Sequence, residues 1–247
     1  MIPSITFQSR CFRFVRFVVA VLCLLPVTAA QAQKIDHGKL NAAARRSEKA
    51  IKVMADLSAL PPAEGIPREL LESARAVAVF PDVDRVNMLV VKAMKGYGLM
   101  SRRGPDGWGS PAFYGFAVMD HGWTLVKPQN AGIIMLFMNE DVLKQFERDH
   151  IKFQGVAGPI GPLTSETEKK IRAAGIIIYS LSDGKLSGIK VEDDSTTETG
   201  INSDNNINKA VYGLKAREIL GGKTPTVTPA PAWITQFQDA LTNFLGK

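Results

Sequence analysis

Gly96-Tyr97-Gly98-Leu99-Met100-Ser101-Arg102-Arg103-Gly104-Pro105-Asp106-Gly107-Trp108-Gly109-Ser110-Pro111-Ala112-Phe113-Tyr114-Gly115-Phe116 is the stretch whose reading decides the fold. Glycines 96, 98, 104, 107 and 109 permit backbone angles that other residues resist, while Trp108, Phe113 and Phe116 supply large apolar area. The combination predicts tight turns beside a buried sheet, a β-hairpin hub. Eight of the chain's 21 glycines lie between positions 96 and 132, which favours antiparallel strands with short turns over helical crossovers.

Strands are predicted on both sides of the hub. Upstream, Ala76 to Phe80 is compact and apolar, Pro81-Asp82 reads as a turn, and Val86 to Val91 reads as a strand covered on both faces. Downstream, Ala112 to Met119 and Trp123 to Val126 flank a turn at Asp120-His121-Gly122, and Ile133 to Met138 is a fully apolar strand. Ile176 to Leu181 and Leu186 to Glu192 read as a hairpin around Ser182-Asp183-Gly184-Lys185. The acidic, polar span Asp193 to Asp204 reads as a solvent loop.

Helices complete the pattern. From Gly38 to Leu60, Leu40, Ala44, Ser47, Ile51, Met54 and Ser58 recur at helical spacing until Pro61-Pro62 ends the run. Arg45, Lys49 and Lys52 fall at i, i+4 and i+7, with Arg46 alongside, so the opposite face is basic. Such a face is either simply solvated or settles on anionic lipid headgroups. Shorter helices are predicted from Ile66 to Ala74, from Asn139 to about Asp149, from the capping box Ser165-x-x-Glu168 to Ala174, and from Asn206 or Asn208 to Leu220 before Gly221-Gly222. A proline-rich connector, Thr224 to Pro231, leads to a terminal helix in which Trp233, Phe237, Leu241 and Leu245 recur every four residues. The predicted class is α+β: an antiparallel, curved or barrel-like sheet with helices packed at its ends.

The first 32 residues stand apart. Arg10, Arg13 and Arg16 precede the apolar run Phe17 to Leu25, and Ala30-Gln31-Ala32 fits a small-x-small cleavage site, the pattern of a secretory signal peptide. The run is short for a membrane span, which needs about 20 apolar residues. The expected destination is periplasmic or extracellular, with peripheral membrane association compatible with it. Cys11 and Cys23 both lie in this leader, which excludes thiolate metal sites, cysteine nucleophiles and disulfides from the mature chain. Leu22 before Cys23 argues against lipid attachment there. Loss of the leader's three arginines takes the formal net charge from +6 to +3, so the basic balance calls for no nucleic-acid partner. The charge is unevenly spread: Lys34 to Arg103 carries 13 basic and 8 acidic residues, whereas Val191 to Asn208 has five acids and no base.

No active site assembles from the motifs. His37, His121 and His150 lack metal-ligand spacing, and Asp120-His121 has no Gly-x-Ser-x-Gly nucleophile to serve. Asp204 to Asn208 begins like a calcium loop, but Lys209 replaces the turn glycine and Lys215 the bidentate glutamate. Gly96-Tyr97-Gly98 and Gly155 to Gly161 fail the nucleotide-loop patterns, and Glu192 and Asp193 would point to opposite faces of a strand. The expectation is a non-enzyme without cofactor or metal.

The order of features resembles the SYLF domain, a lipid-binding family also linked to actin binding in fungi. The resemblance rests on Ala76 to Pro81, Gly96-Tyr97-Gly98, Arg102 through Trp108-Gly109-Ser110-Pro111, Gly158-Pro159-x-Gly161, Tyr179-Ser180-x-Ser182-x-Gly184-x-x-x-Gly188-x-x-x-Glu192, and Asn208-x-x-Val211-Tyr212-Gly213. Two stretches depart from the family pattern: Gly122 to Asn130 replaces a Gly-x-Gln-x-Gly segment, and Asn87 to Lys92 replaces a glycine-rich one. The resemblance implies a SYLF-like domain over residues 33–222, followed over 223–247 by the connector and terminal helix. It also implies binding to acidic phospholipids, phosphoinositides in eukaryotic members, through Arg45, Arg46, Lys49 and Lys52, with Arg102 and Arg103 as a second contact. The alternative is a structural or interaction module of the cell envelope that docks a protein partner on Trp233 and Phe237.

Overall fold

The computed structural model describes residues 36–87, 92–120, 131–191, 197–223 and 231–245. In chain order they form α1 (His37–Ser58), α2 (Arg68–Ser73), β1 (Ala76–Asn87), β2 (Lys92–Gly104), β3 (Gly107–Trp108), β4 (Ala112–Asp120) and β5 (Ala131–Phe137). There follow α3 (Glu140–Lys144) with a 3-10 turn (Gln145–Glu147), β6 (His150–Ile151), β7 (Val156–Ala157), α4 (Ser165–Arg172), β8 (Ile176–Ser182) and β9 (Lys185–Gly188). The last elements are β10 (Thr197–Ser203), α5 (Asn205–Tyr212), α6 (Ala216–Leu220) and α7 (Ala232–Leu245). The predicted leader, the strand over 123–126 and most of the turn at 120–122 lie outside the described residues.

The strands make one strongly curled, half-barrel sheet in the order β6-β10-β4-β2-β1-β5-β8-β7, with β3 beside β2 and β9 beside β8. This is the curved sheet that the sequence predicts, antiparallel throughout except where β7 runs parallel to β8. Every residue of β5 is buried, as a strand between two neighbours and beneath a helix requires.

The hub differs from expectation in an instructive way. Pro81-Asp82 is not a turn: β1 runs straight through it, and the register slips between Val79 and Asp82 against β2 and between Phe80 and Val83 against β5. A bulge is where a sheet accepts a proline, which has no ladder donor. Gly96 and Gly98 lie opposite this bulge, inside β2. A Cβ on Gly96 would come within 2.8 Å of the Asp82 carbonyl oxygen, and one on Gly98 would drive into the Val79 carbonyl and Phe80. These two glycines therefore serve a close strand approach. The tight turn of the hub is Pro105-Asp106, closed by Gly107 at φ 117°.

Sequence periodicity misplaces the face of α1 by a fraction of a turn. Its buried stripe is Ala43, Ser47, Ala50, Val53, Met54 and Leu57; Leu40 and Ile51 are half-buried and Ser58 is exposed. Val53 sits directly over Gly132 of β5, where an added Cβ would be 3.1 Å from its methyl, so a bare strand position lets the helix approach. The basic residues consequently lie along the rim of the helix where it meets β1 and β2.

The acidic span is a second correction. Thr197–Ser203 is strand β10, paired with β4 along its length and with β6 at Ile201 and Asn202. Thr199, Gly200 and Ile201 are buried in it, and the Thr199 hydroxyl accepts from the Phe153 backbone N–H at 3.3 Å, so a hydrogen-bonded threonine stands beside the isoleucine where an apolar run would be expected. The single helix predicted to end at Leu220 is two, α5 and α6, broken by Gly213 in the left-handed region at φ 71°. Its cap is Asp204, whose side chain accepts from Ile207 N–H. The cap of α4 is Thr164, one residue before the predicted box.

The family-pattern residues turn out to be packing devices. The Tyr179 ring lies against Gly158, where a Cβ would fall inside the ring, and its hydroxyl donates to the Pro159 carbonyl at 3.2 Å. A Cβ on Gly188 would strike the Gly158 carbonyl. Tyr212 donates to the Pro111 carbonyl at 2.8 Å from full burial. Burial raises the ionisation of Tyr114, Tyr179 and Tyr212 well above the ordinary phenol range.

Candidate functional site

An open groove of ≈ 350 Å³ lies between the rim of α1 and the bulged part of β1 and β2. Arg45, Arg46 and Lys49 come from the helix, Asp82 and Asp84 from β1, and Lys95 and Tyr97 from β2. Helical spacing puts the first three on one face, and strand alternation puts Lys95 and Tyr97 on the same outward face of the sheet. Four cations thus converge on two acids.

Their pairings separate fixed groups from free ones. Arg46 Nη1 donates to Asp204 Oδ2 at 2.8 Å, both side chains being about four-fifths buried, and its guanidinium lies 4.5 Å over the centre of the Tyr97 ring. Lys49 pairs with Asp82 in the open. Lys52 pairs one turn further with Asp56 at 2.7 Å, also exposed. Exposed pairs of this kind are worth under about 1 kcal/mol and exchange readily with another anion. Among the described residues, Arg45, Lys95 and Asp84 have no ion-pair partner.

The second predicted contact, Arg102 and Arg103, lies elsewhere, near the β2–β3 hairpin. Arg102 pairs with Glu140 at 2.7 Å and borders shallow clefts of ≈ 280 and ≈ 240 Å³ beside Leu220 and Gly221. Arg103 has a different job. Its guanidinium donates to the carbonyls of Glu72 at 2.8 Å, Leu71 at 3.2 Å and Leu245 at 3.1 Å, and lies 4.7 Å over the Trp108 ring. It therefore neutralises the carboxy-terminal ends of α2 and α7 together, the favourable place for a cation. Burial pushes its pKa down from the ordinary arginine value.

The terminal helix offers no docking surface of the predicted kind. Ile234, Phe237, Leu241 and Leu245 are buried, and Trp233 packs edge-on against Phe113 at 5.8 Å between ring centres. α7 lies on α1 and β3, with Gln238 donating to the Trp108 carbonyl at 2.7 Å. The helical period of α7 faces this protein's own core.

Among the described residues, no group of three or more His, Cys, Asp or Glu could hold a metal ion, and no helix is long and apolar enough to cross a membrane. Tyr97 and Lys95 join the groove without belonging to the sequence-predicted basic face. The available signal was strand alternation: with Gly96 and Gly98 facing the bulge, Tyr97 must face out.

The described residues thus form a curled sheet with helices at its ends and an open basic groove beside α1. Residues 128–244 match the family described as Ysc84, Las17-binding protein actin regulator, a match that supports the SYLF resemblance of the sequence. That family is one of binding domains and not a known enzyme family. No curated protein and no solved structure matches the chain. The matched segment begins just before β5, yet β5 pairs with β1 and β10 pairs with β4, so the sheet draws on the segment upstream of it as well.

Proposed function

We propose that the protein is an exported, non-catalytic domain of the cell envelope that associates with anionic phospholipid surfaces through the groove beside α1. The observation that carries this reading is the convergence of Arg45, Arg46, Lys49 and Lys95 on one open face, with Arg45 and Lys95 unpaired among the described residues. Each basic side chain near an anionic surface contributes about 1 kcal/mol, so two free cations and the exchangeable Lys49 support a weak, salt-sensitive association. Lys52 extends the same helix rim. Arg46 contributes charge but is held by Asp204, and Arg103 is excluded by the three carbonyls it serves. The apolar stripe of α1 is consumed by the core, so charge and the rim residues, not an inserting helix, make the contact.

Flotation of the full chain with vesicles of phosphatidylcholine, with and without phosphatidylglycerol, tests this. Retention on the anionic vesicles alone, lost at high salt, is the expected result; equal retention on both, or none on either, contradicts it.

The family description names a protein partner, which gives a second reading: an interaction module with an acidic protein surface in the same groove. The buried face of α7 removes the terminal helix as that module's contact.

A further inference from the structure

Tyr97 is one of three large apolar side chains exposed among the described residues, with 56 % of its surface open; Met119 and Ile160 follow at 39 % and 38 %. Its exposure is constructed. Gly96 and Gly98 on either side face inward against the β1 bulge, which turns the tyrosine outward. Its cross-strand partner is Gly115, where an added Cβ would sit 3.5 Å from the ring, so the ring lies down on a bare floor. Arg46 covers one face from above and is itself locked to Asp204, the cap of α5. An arginine held over an aromatic face is attracted by the ring's quadrupole and fixes the ring's orientation.

Around this ring the groove places Arg45, Lys49 and Lys95, and further along the same face of β4, beyond Ala117, stands Met119. A rigid tyrosine with an apolar body and a hydroxyl tip suits the boundary between headgroups and acyl chains, and the cations beside it suit the phosphates there. We infer that Tyr97 is the interfacial anchor of the membrane contact, and that Arg46 is its positioning residue rather than a headgroup ligand. The occupant is an anionic bilayer surface: the two cations without an ion-pair partner among the described residues, Arg45 and Lys95, outnumber the one such acid, Asp84, and flank a tyrosine that stays more than half exposed beneath Arg46. This inference rests on the membrane-surface reading above and adds to it an orientation, with the outer face of β2 and β4 turned toward the lipid.

The test compares Tyr97→Ala, Tyr97→Trp, Arg46→Lys and Arg45→Gln in the full chain on phosphatidylglycerol-containing vesicles across a salt series, with circular dichroism and melting as controls for folding. Removing an aromatic body from an interface weakens binding about tenfold, so Tyr97→Ala falls by that factor with its salt slope unchanged, while Tyr97→Trp binds at least as well as the native chain. Arg46→Lys keeps the charge and weakens binding through loss of the planar stack, without altering the salt slope. Arg45→Gln flattens the salt slope. If Tyr97→Ala binds as the native chain does while Arg45→Gln is weakened, the anchor is overturned and the electrostatic reading stands. If the native chain binds no anionic vesicle, the functional reading itself falls. Loss of binding by Tyr97→Ala to a soluble acidic peptide, with vesicle binding intact, also overturns the inference in favour of a protein occupant.

Discussion

Asn208 holds Phe113 by both of its backbone groups: the Phe113 N–H donates to Asn208 Oδ1 at 2.8 Å, and Asn208 Nδ2 donates to the Phe113 carbonyl at 3.0 Å, all fully buried. The Phe113 carbonyl has a second donor, Asp204 N–H at 2.9 Å. One side chain on α5 thereby ties β4 to the helix that begins beside the groove. Asn208→Ala leaves a buried N–H without a partner and is expected to cost about 2 kcal/mol in urea unfolding, while Tyr212→Phe, which removes a single hydroxyl donor, costs about 1 kcal/mol. A loss of less than half that for Asn208→Ala would show that the clasp is dispensable.

Gly158 and Tyr179 make a second pairing of fixed shape. Because a Cβ at 158 would occupy the ring's place, Gly158→Ala is expected to be strongly destabilising in the native background and far milder when Tyr179→Ala has already removed the ring. A double-mutant cycle should return a coupling on the order of 2 kcal/mol; additive effects would mean that the loop moves aside.

Arg103 provides a test that separates structure from lipid contact. Arg103→Gln strips a charged donor from two helix ends and should lower stability by about 2 kcal/mol. Below its melting transition the variant should keep the native salt dependence on vesicles, since the guanidinium is engaged with the carbonyls of Glu72, Leu71 and Leu245. A reduced salt slope would return Arg103 to the binding surface.

Alkaline pH bears on the three buried tyrosines. Their folded-state ionisation is raised above the ordinary value of 10 by burial, so the unfolded chain releases protons first as pH rises past 10. The stability they contribute is therefore fully present below pH 10 and declines above it. The melting temperature should fall on that limb, and tyrosinate absorbance from these three should appear only together with unfolding. Gradual ionisation in the folded state would contradict their burial.

Much of the architecture is legible in the residues, and the failures have physical causes. The apolar run at Ile133 and the alternation around Asp183-Gly184 announce β5 and the β8–β9 hairpin, because their signals are local. The strand β10 is hidden because one buried isoleucine, Ile201, and a hydrogen-bonded threonine, Thr199, do the work that an apolar run does elsewhere. Pro81 reads as a turn because a proline's missing donor is visible in sequence, whereas the bulge that accommodates it is a property of two neighbouring strands. The groove is half legible: the basic rim of α1 follows from spacing, but Lys95 and Tyr97 join it only once β2 lies alongside. Arg103 stands next to Arg102 in sequence, yet its neighbours in space are two helix ends that no spacing rule connects.

The central claim is that the groove's unpaired cations hold an anionic membrane. Its most direct measurement is the partition coefficient of the native chain and of the Arg45→Gln/Lys95→Gln double variant on phosphatidylglycerol-containing vesicles at low ionic strength. Two such charges near the surface are worth about 2 kcal/mol, so the variant should bind roughly thirtyfold more weakly with its melting temperature unchanged. Equal partitioning of the two proteins would contradict the account.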